Sequence, residues 1–385
     1  MRLTINIDFK NFKISKNNKE IKSLLFLILK EKNQVIESLK KNYKFSFKKI
    51  KTLNLKKYSK VILIGMGGSS LGIKAIYNFL YHKISKKFFF VDNFEIKNKI
   101  DLKGNLINLV ISKSGNTLET VVNSNILIKK QHKNIFITEN KQSYLRDLAK
   151  KLRAEIFDHN DYIGGRYSVL SEVGMIPAQL MGLKSFKFKQ FDKLIKNKNF
   201  LNSLIANVSN TLNLIKKKKY NSVILNYDKN SNDLFFWYQQ LIAESLGKNN
   251  KGIFPIVSNM PTDNHSLMQY YLDGPRINFY TFFYVNDDSS LKLKNENLLK
   301  SHFFLKNKSI DDIKFSQFLA TQNVFENKKI PFRSFFIKKR NEESMGELFT
   351  FFILETILLG KAMKLNPYDQ PAVELIKLST KKNLI

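Results

Sequence analysis

At 385 residues the chain is too long for one ordinary domain of about 150 residues and implies two cores. A hydrophobic fraction of 43% beside 25% charged residues excludes disordered, collagen-like and solenoid chains, and zero cysteines remove disulfides, thiol catalysis, iron–sulfur clusters and most structural zinc. Sixty-five Lys plus Arg against 32 Asp plus Glu leave a net charge of +33, a field that draws polyanions. Only Lys216–Lys219 forms a lysine quartet, however, and no basic–aromatic recognition motif appears, so nucleic acid is not the expected partner. The greasiest stretch, Leu348 to Gly360, carries Glu355 and falls short of the about 20 apolar residues of a membrane span. No apolar leader segment opens the chain, so the expected location is cytoplasmic, with no membrane partner.

Short apolar runs bounded by polar or turn residues alternate with helical segments, the pattern of an α/β chain. Val61–Gly65, Phe88–Val91, Leu106–Ile111 and Asn134–Thr138 read as buried parallel strands, with helices near 70–81, 117–131 and 141–152. After a long helical segment from about 190 to 219, the second series offers Ser222–Tyr227, Ile253–Val257, Ile277–Val285 and Phe332–Ile337 as strands. Its helices are 233–247, 264–272 and 342–364. Two doubly wound parallel-sheet units follow, residues 1–190 and 191–385, with sites expected where loops leave the carboxyl ends of the strands.

The first such loop is Gly65-Met66-Gly67-Gly68-Ser69-Ser70-Leu71-Gly72, which runs from strand to helix and points N–H groups at an anion. Ser70 stands where a dinucleotide fingerprint wants Gly or Ala, although Asp92 after the next strand keeps that reading open. Ile73 stands where a Walker loop needs Lys. The second is Ser112-Lys113-Ser114-Gly115-Asn116-Thr117, three hydroxyls and an ammonium on one turn. A helix cap needs only one hydroxyl, so two such turns in one sheet point to a phosphate site.

Gly164-Gly165-Arg166-Tyr167-Ser168 places a guanidinium on a glycine turn, either as a surface side chain or as a fork for an oxyanion. Gln240 and Glu244 share a helix face. Glu244 suits proton transfer, or it pairs Lys248 at i,i+4. His265 at a helix start is a proton shuttle or a capping residue. In Tyr368-Asp369-Gln370-Pro371-Ala372-Val373-Glu374-Leu375-Ile376-Lys377, Pro371 is expected early in a helix, with Gln370, Glu374 and Lys377 on one stripe. A Glu374–Lys377 surface pair leaves Asp369-Gln370 unexplained.

Taken together, these motifs resemble the glucose-6-phosphate isomerase (phosphoglucose isomerase) family over roughly residues 60–377. Gly360-Lys-Ala-Met through Tyr368-Asp369-Gln370 to Glu374 and Lys377 matches the family's C-terminal signature, and Ile163–Ser168 its other one. GMGGSSLG, SKSGNT, AESLGK and NHSLMQ fall in the family's order. The resemblance implies two sugar-isomerase (SIS) domains with a C-terminal helix, and an enzyme that interconverts D-glucose 6-phosphate and D-fructose 6-phosphate without cofactor or metal. Gly68, Ser69, Ser112, Lys113, Ser114 and Thr117 then correspond to the sugar-phosphate pocket, and Gln240 and Gln370 to ligand-contacting glutamines. Glu244 corresponds to the base that moves a proton between C2 and C1, and Arg166 to the arginine that stabilises the enediolate. His265 and Lys377 correspond to the ring-opening pair, the histidine lent across a homodimer interface. The chain is shorter than usual members, which puts the extent of that interface in question. A dual-specificity phosphoglucose/phosphomannose isomerase and a non-catalytic sugar-phosphate-binding SIS protein are the alternatives. Glu244, His265 and Lys377 together argue against the second.

Overall fold

The structure is a computed structural model that describes residues 2–12, 19–47, 57–94 and 104–385, apart from the side chains of residues 374 and 378. In chain order, β1 (Ile7–Lys10), α1 (Lys19–Lys30) and α2 (Gln34–Leu39) precede the first unit. That unit comprises β2 (Lys60–Ile64), α3 (Leu71–Phe79), β3 (Lys87–Val91), β4 (Leu106–Ile111), α4 (Leu118–Leu127), β5 (Lys133–Thr138), α5 (Tyr144–Lys151), β6 (Glu155–Asp158) and α6 (Glu172–Leu180). Next, α7 (Phe191–Leu194) and α8 (Lys198–Lys216) lead into β7 (Asn221–Asn226), α9 (Asn232–Leu246), β8 (Phe254–Asn259), α10 (Met268–Asp273) and β9 (Asn278–Val285). The chain finishes with α11 (Ile310–Asn327), β10 (Phe332–Ile337), α12 (Glu342–Ala362) and α13 (Val373–Asn383).

The expected α/β class with two parallel-sheet units is borne out. The first sheet is parallel throughout, in the order β3-β2-β4-β5-β6. Every residue of β4 is buried, because helices cover both faces of a doubly wound sheet and leave no polar side to alternate with. Strand order reverses between β2 and β4, and a crevice opens at such a point beyond the carboxyl ends of the strands. The Gly65–Gly72 and Ser112–Thr117 turns leave those two strands.

The second sheet has the order β1-β10-β9-β7-β8. Four of its strands are parallel, and β1 adds antiparallel at one edge, pairing Ile7 with Ile337 and Phe9 with Phe335. The chain's first strand is thus completed by its last. One hydrophobic core spans both units, joining Ile73 and Ile76 of α3 to Trp237 and Leu241 of α9 and to Phe349 and Phe352 of α12. The greasy stretch that holds Glu355 is the centre of α12, buried on every side. Glu355 is neutralised there by Arg333 of β10, also accepting from Asn207 at 2.5 Å and from the Tyr238 hydroxyl at 3.2 Å. Removing one partner of such a buried pair costs far more than the pair itself contributes. The network therefore locks α9, through Tyr238, to the sheet behind it. Among the described residues no helix is long and apolar enough to cross a membrane.

Two local expectations are corrected. Pro371 precedes the last helix, which starts at Val373, because Asn366–Ala372 forms a strap in which the carbonyls of Asn366, Pro367 and Asp369 accept from side chains of other elements. Gln370 lies on that strap, so it shares no helical stripe with Lys377. Glu374 falls outside the described side chains, and its pairing with Lys377 with it.

Candidate active site

The turn after β2 tightens into a 3-10 helix, Gly67–Ser69, that lies against the turn carrying Arg166. A methyl group on Gly68 would sit 2.2 Å from the carbonyl carbon of Gly165, and one on Gly67 would sit 2.9 Å from Nε2 of Gln240. At Gly68 the contact is with backbone and leaves no room for a side chain, so glycine there brings the two turns together, while Gly67 is favoured by its φ of +52°. Asp92, which kept a dinucleotide reading open, pairs with Lys74 at 2.5 Å.

In the neighbouring turn, Thr117 occupies the N-cap of α4 but makes no side-chain cap bond. Its hydroxyl meets that of Ser112 at 2.9 Å instead. Ser114 is exposed and accepts from the Asn116 N–H at 3.2 Å. Lys113 donates to the Asp161 carbonyl at 2.7 Å and stands 3.4 Å from Glu139. Beside it His159 is buried, which pulls its imidazole down to about 4, and the Lys113 ammonium adds to that effect against a hydrogen bond to the Asn160 carbonyl. The turn thus gathers three hydroxyls and an ammonium, the donor types of an anion site, with Lys113 held by Asp161 and Glu139 and Ser112 paired with Thr117.

Arg166 is not a surface side chain. It is 1% exposed within the 3-10 helix Gly165–Leu170, and all five of its N–H groups find acceptors. Nε donates to Ser245 Oγ at 2.7 Å. Nη1 donates to Gln370 Oε1 at 2.6 Å and to Glu244 Oε2 at 3.3 Å, and Nη2 to the carbonyls of Pro367 at 2.8 Å and Asp369 at 3.0 Å. Glu244 is half-buried on α9, and its other oxygen accepts from Gln240 Nε2 at 2.8 Å. Gln240 Oε1 is buried and has no hydrogen-bond partner among the described residues. The pair of Glu244 with Lys248 does not form, because Lys248 goes to Asp369 at 2.5 Å.

The fold therefore gathers Gly68, Arg166, Gln240, Glu244 and Gln370 into one contact set drawn from both units and the C-terminal strap. Ser112 and Thr117 share the adjoining turn. His265 lies elsewhere, exposed at the end of the 3-10 helix Thr262–His265, and its side chain has no hydrogen-bond partner among the described residues. Lys377 is exposed on α13. Three supporting residues escaped the sequence reading. Ser245 takes Nε of Arg166, the Tyr167 hydroxyl reaches both Ser245 at 2.9 Å and the Pro367 carbonyl at 2.9 Å, and Trp237 Nε1 donates to the Arg166 carbonyl at 3.1 Å. The signal lay in the arginine: once buried, a guanidinium must find five acceptors, and Ser245 stands next to Glu244.

The profile of the family Phosphoglucose isomerase matches residues 15–384. A glucose-6-phosphate isomerase of Methanocaldococcus jannaschii is 33% identical over 356 residues, covering 86% of this chain and 85% of the relative. One from Staphylococcus aureus is 31% identical over 352 residues, covering 82% and 78%. Among solved structures, a hypothetical protein from Thermus thermophilus superposes with a TM-score of 0.81 at 21% identity, covering 95% of this chain and 94% of that one. A glucose-6-phosphate isomerase from Chlamydia trachomatis gives 0.70 at 22% identity, covering 86% and 70%. The two structural likenesses speak to the fold, and the sequence matches, which run through nearly all of the chain that holds these turns, place it: this protein belongs to the phosphoglucose isomerase family.

Proposed function

We infer that the chain interconverts D-glucose 6-phosphate and D-fructose 6-phosphate by proton transfer between C2 and C1 through a cis-enediolate. The observation that carries this reading is the carboxylate of Glu244 set against the guanidinium of Arg166 at 3.3 Å, at the meeting of two units and beside two hydroxyl-bearing strand-to-helix turns. The sugar phosphate is anchored at Gly68, Ser69, Ser112, Lys113, Ser114 and Thr117, so that binding energy far from the reacting carbons holds them in register. Glu244 then takes the C2 proton of the open-chain aldose and returns it to C1, while charge develops on the enediolate oxygens.

Arg166 enters this step with every N–H engaged, so its stabilising effect comes from a fixed positive charge whose neighbours need no reorganisation. Its contact with Glu244 is the longest of the five and the one most readily exchanged for a substrate oxygen. Gln240 and Gln370 border the same space, and the unpartnered Oε1 of Gln240 suits a sugar hydroxyl. His265 and Lys377 are assigned to ring opening. The exposed, unpartnered imidazole of His265 suits a homodimer in which each subunit lends its histidine to the other's site. Phosphorylated sugars are too highly charged to cross a membrane unaided, and we place the activity in the cytoplasm. A coupled assay with fructose 6-phosphate, run in parallel with mannose 6-phosphate, tests the reading. Formation of glucose 6-phosphate supports it, and turnover of the mannose isomer at a comparable rate would move the specificity to the dual enzyme.

A further inference from the structure

Lys248 stands just beyond the C-terminal end of α9, two residues after its last turn. Its ammonium has three N–H groups and spends all three on one strap: on the Asn366 carbonyl, the Asp369 carbonyl and Asp369 Oδ1, each at 2.5 Å. The same strap supplies three of the five acceptors of Arg166, the Pro367 and Asp369 carbonyls and Gln370 Oε1. The Asp369 carbonyl is shared, accepting from Lys248 on one side and from Arg166 Nη2 on the other. Strap residues Asn366, Asp369 and Gln370 are exposed, whereas Pro367 is buried and Tyr368 is half-buried with its ring 5.9 Å from that of Tyr167, so packing holds the middle of the strap and hydrogen bonds hold the exposed residues around it. Apart from the two cations, the Tyr167 hydroxyl reaches the Pro367 carbonyl, Lys251 holds the Met363 carbonyl upstream at 3.1 Å, Asn366 meets Asp369 Oδ2 through Nδ2 at 2.9 Å and accepts from the Tyr368 N–H at 3.1 Å, and the Tyr368 hydroxyl donates to Glu31 at 3.5 Å.

We propose that Lys248 is a positioning residue for the isomerase reaction. By pinning the strap at Asn366 and Asp369, it fixes the acceptors that aim the Arg166 guanidinium at Glu244, without touching substrate itself. The inference rests on the reading of Arg166 and Glu244 as catalytic residues. Its physical basis is that a cation whose acceptors lie on an irregular segment is only as well oriented as that segment. Three charge-assisted hydrogen bonds from one point fix Asn366 and Asp369 on either side of the packed Pro367 and Tyr368. Catalytic geometry is sensitive at this scale, since displacements near 1 Å cost about 10²-fold in rate.

The test compares kcat with phosphate affinity in the full-length protein. Lys248→Met keeps the apolar stem and removes the ammonium. It is expected to lower kcat by about 10- to 100-fold and to leave competitive inhibition by inorganic phosphate unchanged, because the phosphate turns belong to the other unit. Lys248→Arg, which restores a donor fork to the same carbonyls, should recover most of the loss. Should Lys248→Met fail to fold, Asp369→Asn serves alone, since it keeps the backbone carbonyls and removes only the charge. Its expected result is a several-fold lower kcat with unchanged phosphate inhibition. A wild-type kcat in the folded variants, or a parallel loss of phosphate affinity, overturns the proposal. Glu244→Gln assayed alongside separates the two claims: if it is inactive while Lys248→Met is fully active, only the role of Lys248 falls. If Glu244→Gln keeps its activity, the catalytic reading falls with it.

Discussion

Arg166 of the first unit and Glu244 of the second stand 3.3 Å apart, guanidinium Nη1 to carboxylate Oε2. Each owes its position to a different kind of constraint. Arg166 sits on a turn pressed against Gly68 with no room for a side chain. Glu244 sits on a helix tied through Tyr238 to the buried Arg333–Glu355 pair. The contact thus couples two independently built sheets at the point where the chemistry is expected.

Replacing Arg166 by Lys keeps the charge and gives up the fork. At most three of the present acceptors can be served, and the carbonyls of Pro367 and Asp369 compete with Glu244 for them. The expected result is a fall in kcat of about 10² to 10³, with inorganic phosphate inhibiting as before. A Lys variant with wild-type kcat would show that a point charge suffices and that the forked geometry is incidental.

Thr117 is the most informative position in the phosphate turn, because its hydroxyl is engaged by Ser112 and not by the helix it precedes. Thr117→Ala should leave α4 and the melting temperature nearly unchanged. It should raise KM for fructose 6-phosphate by about tenfold or more, since a hydrogen bond to a charged group contributes about 1.5 to 3 kcal/mol. A large drop in melting temperature with an unchanged KM would return Thr117 to a capping role.

His265 gives the oligomer a test of its own. His265→Ala and Glu244→Gln protein should each retain only residual turnover alone. Mixed under conditions that exchange subunits, the two should recover activity, because in the heterodimer one site receives both intact residues and the other neither. A heterodimer shown to form, yet as inactive as its parents, refutes a histidine lent across the interface.

One part of the pH dependence of stability comes from His159, whose imidazole burial lowers from an ordinary 6.5 to about 4. Above the ordinary value neither state binds this proton and its contribution is complete. Between that value and 4 the unfolded chain is protonated and the folded one is not, so stability falls as the pH drops. Below 4 the loss levels off at about 3 kcal/mol. Urea midpoints measured from neutral pH down to pH 4 should show this slope in the wild type and a shallower one in His159→Gln. Parallel curves for the two proteins would assign the acid sensitivity to other groups.

Much of the architecture is legible in local sequence, and the parts that are not share a physical cause. The parallel strands stand out because burial on both faces leaves unbroken apolar runs such as Leu106–Ile111. The edge strand β1 and the short β6 carry polar ends, Lys10 and Asp158 among them, and blend into loops. In the sequence Glu355 is a blemish on a greasy segment, whereas in the fold it is the acceptor for a buried arginine on the preceding strand, β10. At the site, the candidate residues on one turn or one helix face can be recognised by spacing. The convergence of Arg166 with Pro367, Asp369 and Gln370 cannot, because it depends on a strap more than 200 residues downstream with no regular period. Pro371 suggests a helix start, and the helix waits until Val373 because Arg166, Tyr167 and Lys248 take the preceding carbonyls.

The central claim, that Glu244 carries the proton between C2 and C1, is tested most directly by following fructose 6-phosphate in deuterated water with wild-type and Glu244→Gln protein. The wild type should form glucose 6-phosphate and place solvent deuterium at C2. The Gln variant, which keeps the shape and loses the base, should fold and still be inhibited by inorganic phosphate, yet exchange and isomerise about 10² to 10⁴ times more slowly. Deuterium incorporation by Glu244→Gln at the wild-type rate would contradict the account and send the search for the base to another residue of the site.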